Sequence, residues 1–256
     1  MADIQNLETQ YRLLHKYWKS GSEGNNVRDF QTADQLRVKM ISQLESLLDE
    51  DNKDAVSDIF SDLAEFCHDY LLCLDELGRD SYATWQNLKS MAERAIVLNP
   101  DSFPGHYFLT VFHSSNLKSV HAGNIPAIHK GEDAATSIVG TAFNLLFKGA
   151  TLGATATAAG ISRAKFTTSV QNLLAVYGKS LQHKPIDARY YMKITSRMFN
   201  VADFCEQINH GGARDIYAVI KKFDMSYLDY SELEKSDIPD VQEAVLEYIT
   251  IADSKL

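Results

Sequence analysis

Apolar side chains recur along this chain at steps of three and four residues, in one segment after another, with charged residues filling the positions between. Ile4, Leu7, Tyr11, Leu14 and Trp18 mark a first amphipathic helix. The run Ser20-Gly21-Ser22-Glu23-Gly24-Asn25-Asn26 predicts a mobile loop. A short second helix is expected to start near Thr32, carry Leu36, Met40, Leu44, Leu47 and Leu48 on one stripe, and end at Asp49-Glu50-Asp51-Asn52. Asp54 then caps a longer third helix, whose period runs through Val56, Ile59, Phe60, Leu63, Phe66, Cys67, Tyr70, Leu71, Leu74 and Leu77 to a left-handed stop at Gly78. So wide a stripe implies neighbours on two sides. Asp58, Asp62, Glu65, Asp69, Asp75 and Glu76 predict an acidic outer surface, solvated or docking a basic partner.

Residues Ser81–Ser115 show one helix stopping and another starting. Trp85, Leu88, Met91, Ala92, Ala95 and Ile96 share a face, Asn99-Pro100-Asp101 ends the helix, and Ser102 caps a second with Pro104 in its first turn. Tyr107, Phe108, Val111 and Phe112 form the next apolar face. The spacing Ala92-x-x-Ala95-x-x-x-x-Pro100, followed by Tyr107 and Leu109, resembles the junction between two tetratricopeptide repeats, where small residues allow close helix approach. A fainter echo aligns Leu98–Phe108 with Leu181–Tyr191 without a gap. The resemblance implies stacked antiparallel helix pairs, a TPR-like α-solenoid or an irregular helical bundle. It also implies that Tyr107, Val111, Tyr190 and Arg197 line a groove for a protein or peptide partner.

From Asn116 to Gly131 the pattern weakens and predicts a long connection. His121 and His129 fall in this segment and His106 and His113 just before it, without the three- or four-residue spacing that sets two imidazoles on one helix face, so no metal is expected. Ala134–Gly160 carries one formal charge, Lys148, and many small residues. Lys148 and the threonines disfavour a membrane span, and tight core packing is the expectation. The competing reading is a membrane or partner surface anchored by Phe143, Leu146 and Phe147. Helices return with Phe166, Val170, Leu173, Leu174 and Tyr177, and after an Asp187 cap with Tyr190, Tyr191, Ile194, Met198, Val201, Phe204 and Ile208. Arg189, Lys193 and Arg197 share one surface of that helix, a stripe either solvated or open to an acidic peptide. Ile216, Val219 and Ile220 mark a shorter helix, and Ser236-Asp237-Ile238-Pro239 starts the last, with Val241, Ala244, Val245, Tyr248 and Ile249 on its stripe.

At least eight amphipathic segments without sustained two-residue alternation define the fold class as all-α. The 256 residues, 45% apolar and 23% charged, suit one globular domain, with 1–130 and 131–256 as the alternative division. A net charge of −9 argues against nucleic acid, which demands a segregated basic surface, and favours basic partners. Cys67, Cys73 and Cys205 read as buried free thiols, and the absence of a signal-like leader predicts a cytoplasmic protein. No phosphate loop, nucleophile elbow, His-Glu-x-x-His or paired-cysteine motif stands in the chain, and no cofactor is called for. Cys67-His68 are adjacent on a helix and face apart; they and Asp203 with Cys205 and Glu206 are what an unrecognised enzyme would use. The expectation is a non-catalytic interaction scaffold, with a membrane-surface or lipid-binding protein as rival.

Overall fold

Helix termini and small residues set the architecture. The computed structural model describes residues 2–49, 51–121 and 151–256. Among them the chain is all-α, with nine helices: α1 (Ala2–Gly24), α2 (Val27–Leu47), α3 (Lys53–Glu76), α4 (Tyr82–Leu98), α5 (Phe103–His121), α6 (Thr151–Ser180), α7 (Ala188–Gln207), α8 (Gly212–Lys221) and α9 (Ile238–Ser254). The described residues divide into two compact units, the first ending within α5 at Phe112 and the second taking α5 from His113 onwards with α6 to α9.

In the first unit, the loop expected at Ser20–Asn26 is mostly helix. α1 continues to Gly24, and the chain turns at Asn25, whose φ is 46°, before Asn26 accepts the Arg28 N–H and caps α2. Gly21 permits the extension: a Cβ there would lie 2.9 Å from the Phe30 ring, so α1 and α2 touch where a larger residue would hold them apart. α2 therefore starts five residues before Thr32 and is not short, and it buries Phe30, Ala33, Arg37, Met40 and Leu44. Leu48, expected on the stripe, is exposed.

The α3 carboxylates are not simply a solvated face. Tyr11 donates to Asp62, Trp18 Nε1 donates to Asp69 at 2.8 Å, and Asn25 donates to Glu76. Each pair is separated by 51 residues and each set repeats every seven, so α1 and α3 run parallel in a heptad-like register. Trp18 also meets the Phe66 ring edge-on at 5.9 Å, continuing the seam into the core.

α3 stops as expected, with Gly78 at φ 61° and the Arg79 N–H bonded to Leu74 O at 2.9 Å. α4 packs back on it. Ser57 donates to the Ala95 carbonyl at 2.9 Å, and Ser61 meets Ser102 at 3.1 Å, so two serines one turn apart hold the Asn99–Ser102 turn from beneath. Ser102 Oγ accepts the Gly105 N–H, and a Cβ on Gly105 would meet Ile96 at 3.0 Å and the Ala92 carbonyl at 3.2 Å. Small residues thus bring α4 and α5 together.

α5 runs to His121, with Asn116 and Leu117 buried, so the connection expected from Asn116 begins with helix; its remainder lies outside the described residues. In the second unit α6 and α7 pack antiparallel: Phe166 meets Phe204 at 5.1 Å and the Tyr177 hydroxyl meets Thr195 at 2.9 Å. α7 ends at Asn209, left-handed with φ 52°, and Gly212 starts α8 close against Val170. β1 (Ile186–Asp187) and β2 (Leu228–Asp229) form a short parallel ladder pairing Ile186 with Leu228. Ile186, Leu228, Ala188, Tyr191, Val241 and Val245 make a core cluster beneath α9.

Candidate interaction surface

α7 is built from its cap outward. The β1 ladder fixes the entry, and the Asp187 carboxylate accepts the Tyr190 N–H at 2.6 Å, satisfying a donor that the helix start leaves orphaned. Tyr191, Ile194, Met198, Val201 and Phe204 then turn inward. Tyr191 stacks on Phe223 with ring centroids 4.0 Å apart, and burial pushes its hydroxyl up to about 12. With about 100° per residue, Arg189, Tyr190, Lys193 and Arg197 all fall within one sector of about 100° on the other side. Arg189, Tyr190 and Lys193 are exposed and Arg197 is half-buried. The Tyr190 hydroxyl reaches Ser180 Oγ at 3.5 Å, which places the end of α6, with Lys179, beside this face.

The expected groove residues separate. Tyr190 is 40% exposed, whereas Tyr107 is 6% exposed, stacked on Phe103 and edge-on to Phe108 in the core of the first unit. Val111, one turn on, is half-buried. The gapless echo between the two segments explains the mismatch. Ser102 and Asp187 cap their helices at positions two residues apart in that alignment, so Tyr107 is the fifth residue of α5 and Tyr190 the third of α7. Two residues are about 200° of helix rotation, enough to turn one ring inward and the other out. Phe143, Leu146 and Phe147 lie outside the described residues.

Charge is distributed unevenly, which the total conceals. Residues 1–112 hold 19 Asp and Glu against 10 Lys and Arg, a net of −9, so the entire formal charge of the chain sits there. From Thr151 to Ala202 there are seven Lys and Arg and one acid, Asp187, whose carboxylate already caps α7. The signal was present in the sequence as a run from Ala134 to Ile186 without Asp or Glu, and averaging over the whole chain hid it.

The three cysteines are free and buried, and burial pushes the Cys67 and Cys205 thiols up to about 12, away from the thiolate form. Among the described residues no three His, Cys, Asp or Glu side chains gather as a metal site, and no helix is long and apolar enough to cross a membrane. No family model matches the sequence, no curated protein matches it, and no solved structure matches the fold.

Proposed function

We propose that this protein is a non-catalytic interaction scaffold that binds a protein partner through the outer face of α7. The observation that carries the reading is the outward pairing of Tyr190 with Arg189, Lys193 and Arg197 on a helix whose opposite face is locked into the core. Tyrosine and arginine dominate the energetic centres of interfaces, because a rigid ring and a planar cation cover much area with little rotamer freedom to lose. The α4–α5 junction, with Gly105 seated on Ala92 and Ile96, adds the close helix approach that tetratricopeptide-type pairs use.

Capture from a source lysate tests the reading when the wild type is run beside Tyr190→Ala combined with Arg197→Ala. The expected result is a partner retained by the wild type and lost by the double variant, both proteins having the same helical circular dichroism. Identical retention on the two baits refutes it.

A further inference from the structure

His210 closes the turn between α7 and α8, and its hydrogen bonds leave one protonation state for the ring. Thr167 Oγ1 donates its single proton to the Arg163 carbonyl at 2.8 Å, so toward His210 Nε2, 2.9 Å away, the hydroxyl can only accept. Nε2 therefore carries a proton. Nδ1 accepts the Gly212 N–H at 3.0 Å and therefore carries none. The ring is neutral, in one tautomer, and it joins Thr167 of α6 to the first residue of α8. It stands edge-on to Phe166 at 5.4 Å, and a Cβ on Gly212 would lie 2.9 Å from Nδ1 and 2.9 Å from Val170.

A second proton can go only to Nδ1, where it would point at the Gly212 N–H and replace a hydrogen bond by two opposed donors. The surroundings oppose that proton. From α6 the Arg163 guanidinium, bonded to the Asn209 carbonyl at 3.1 Å, disfavours a charged ring, and from α8 only Asp215 favours one. At the end of α7 the Cys205 carbonyl takes the His210 backbone N–H at 2.8 Å, burial keeps the Cys205 thiol neutral, and Glu206 is engaged by Lys255. The unpaired N–H groups that open α8 also repel a cation. Burial, then Arg163, accordingly hold the His210 pKa below the ordinary histidine value.

We propose that His210 is an acid-operated latch: neutral, it pins the first turn of α8 to α6, and its protonation frees that turn while α6 and α7 stay packed. Gly212 sits against Val170, which is buried with Phe166 in the closed state, so release uncovers a small apolar edge of α6. The device does not rest on the interaction reading. Its closed-state pKa lies below the free-ring value of 6.5, so the latch is fully engaged above that pH and loosens as pH falls from there toward the lowered value. One proton limits the effect to about tenfold per pH unit.

Hydrogen exchange of the full-length protein at about pH 7.5 and about pH 5.5, corrected for the intrinsic rate, reads the opening at the amides of Gly212, Ala213 and Arg214. Protection there is expected to fall several-fold, up to about tenfold, at the lower pH, with the amides of α7 unchanged. His210→Asn keeps an acceptor for the Gly212 N–H that does not titrate, and is expected to hold the same protection at both pH values. Long-range proton–nitrogen NMR of the wild type is expected to show His210 Nδ1 unprotonated at about pH 7.5 and the ring titrating below about 6.5. Should His210→Asn fail to fold, the titration and the exchange series of the wild type decide by themselves. A protonated Nδ1 at the higher pH, a ring titrating at or above about 6.5, protection indifferent to pH, or a loss shared by α7 or by the asparagine variant overturns the latch.

Discussion

Replacing Gly21 by alanine tests whether α1 truly continues through the Gly-Ser-Glu-Gly run. In a mobile loop the substitution would stabilise the protein by about 0.4–1 kcal/mol, because alanine narrows the unfolded ensemble. In the helix described above, its Cβ arrives 2.9 Å from Phe30 Cδ2 and 3.1 and 3.2 Å from two further ring atoms. The ring has little room to retreat: Phe30 is 1% exposed, stacked on Tyr70 at 5.2 Å and 6.1 Å from Phe66. Overpacking of this kind costs about 1–3 kcal/mol. Alanine recovers about 0.5–1 kcal/mol of helix preference over glycine. The net expectation is a loss of about 1–2 kcal/mol, opposite in sign to the loop case. Urea unfolding followed by tryptophan fluorescence reads it directly, since both tryptophans, Trp18 and Trp85, belong to the first unit. The midpoint should fall with an unchanged slope. Gly178→Ala, in α6 with nothing within 4 Å of its Cβ, is the control and should stabilise by about 0.5–1 kcal/mol, read by circular dichroism. A neutral or stabilising Gly21→Ala would refute the continuous helix and its packing on Phe30.

Three further outcomes are expected. Trp18→Phe keeps most of the ring area but leaves Asp69 without its indole donor, costing about 0.5–1.5 kcal/mol in the same fluorescence-independent circular dichroism assay; no change would mean the seam adds nothing. Tyr177→Phe should cost about 1 kcal/mol by breaking the bond to Thr195, and Tyr191→Phe should cost less, because its buried hydroxyl lies near Tyr177 and Thr195 without a hydrogen bond of good geometry; equal effects would contradict the assignment. His210 accepts the Gly212 N–H at Nδ1 and faces Thr167 through Nε2, and burial followed by the nearby Arg163 lowers its pKa. Below the unfolded value of about 6.5 the unfolded chain therefore binds the extra proton first, so stability should fall as pH drops through the lowered folded pKa, and His210→Asn should flatten that part of the pH profile.

What the sequence disclosed depended on whether local signals and tertiary contacts agreed. The stripes of α3 and α7, the Gly78 stop and the Ser102 and Asp187 caps were legible because the residues that end a helix act on their own backbone. The start of α2 was not, since Gly21 and Gly24 read as turn formers until a neighbouring Phe30 gives one of them a reason to be helical. The histidine-bearing stretch around Asn116 misled in the same way, its helix being secured by burial of Asn116 and Leu117. On α7 the cationic stripe was visible from spacing alone, but the separation of Tyr107 from Tyr190 was not, because a two-residue offset in the caps cannot be seen by aligning the letters. Whole-chain charge hid its own distribution, because all of the excess acid lies in residues 1–112.

The first helix has to wait for the third. Tyr11, Trp18 and Asn25 each require an acceptor 51 residues downstream, so during synthesis α1 leaves the ribosome well before any of them exists. At about 5–20 residues per second the wait is roughly 3–10 s, long compared with the formation of a helical hairpin. In that interval α1 and α2 can close on each other through Gly21 and Phe30, while the edge bearing Tyr11 and Trp18 stays uncovered. A ribosome that pauses before Glu76 therefore holds out an aromatic stripe to chaperones and to its neighbours on the same message, and translation speed across α3 sets how long that stripe is shown.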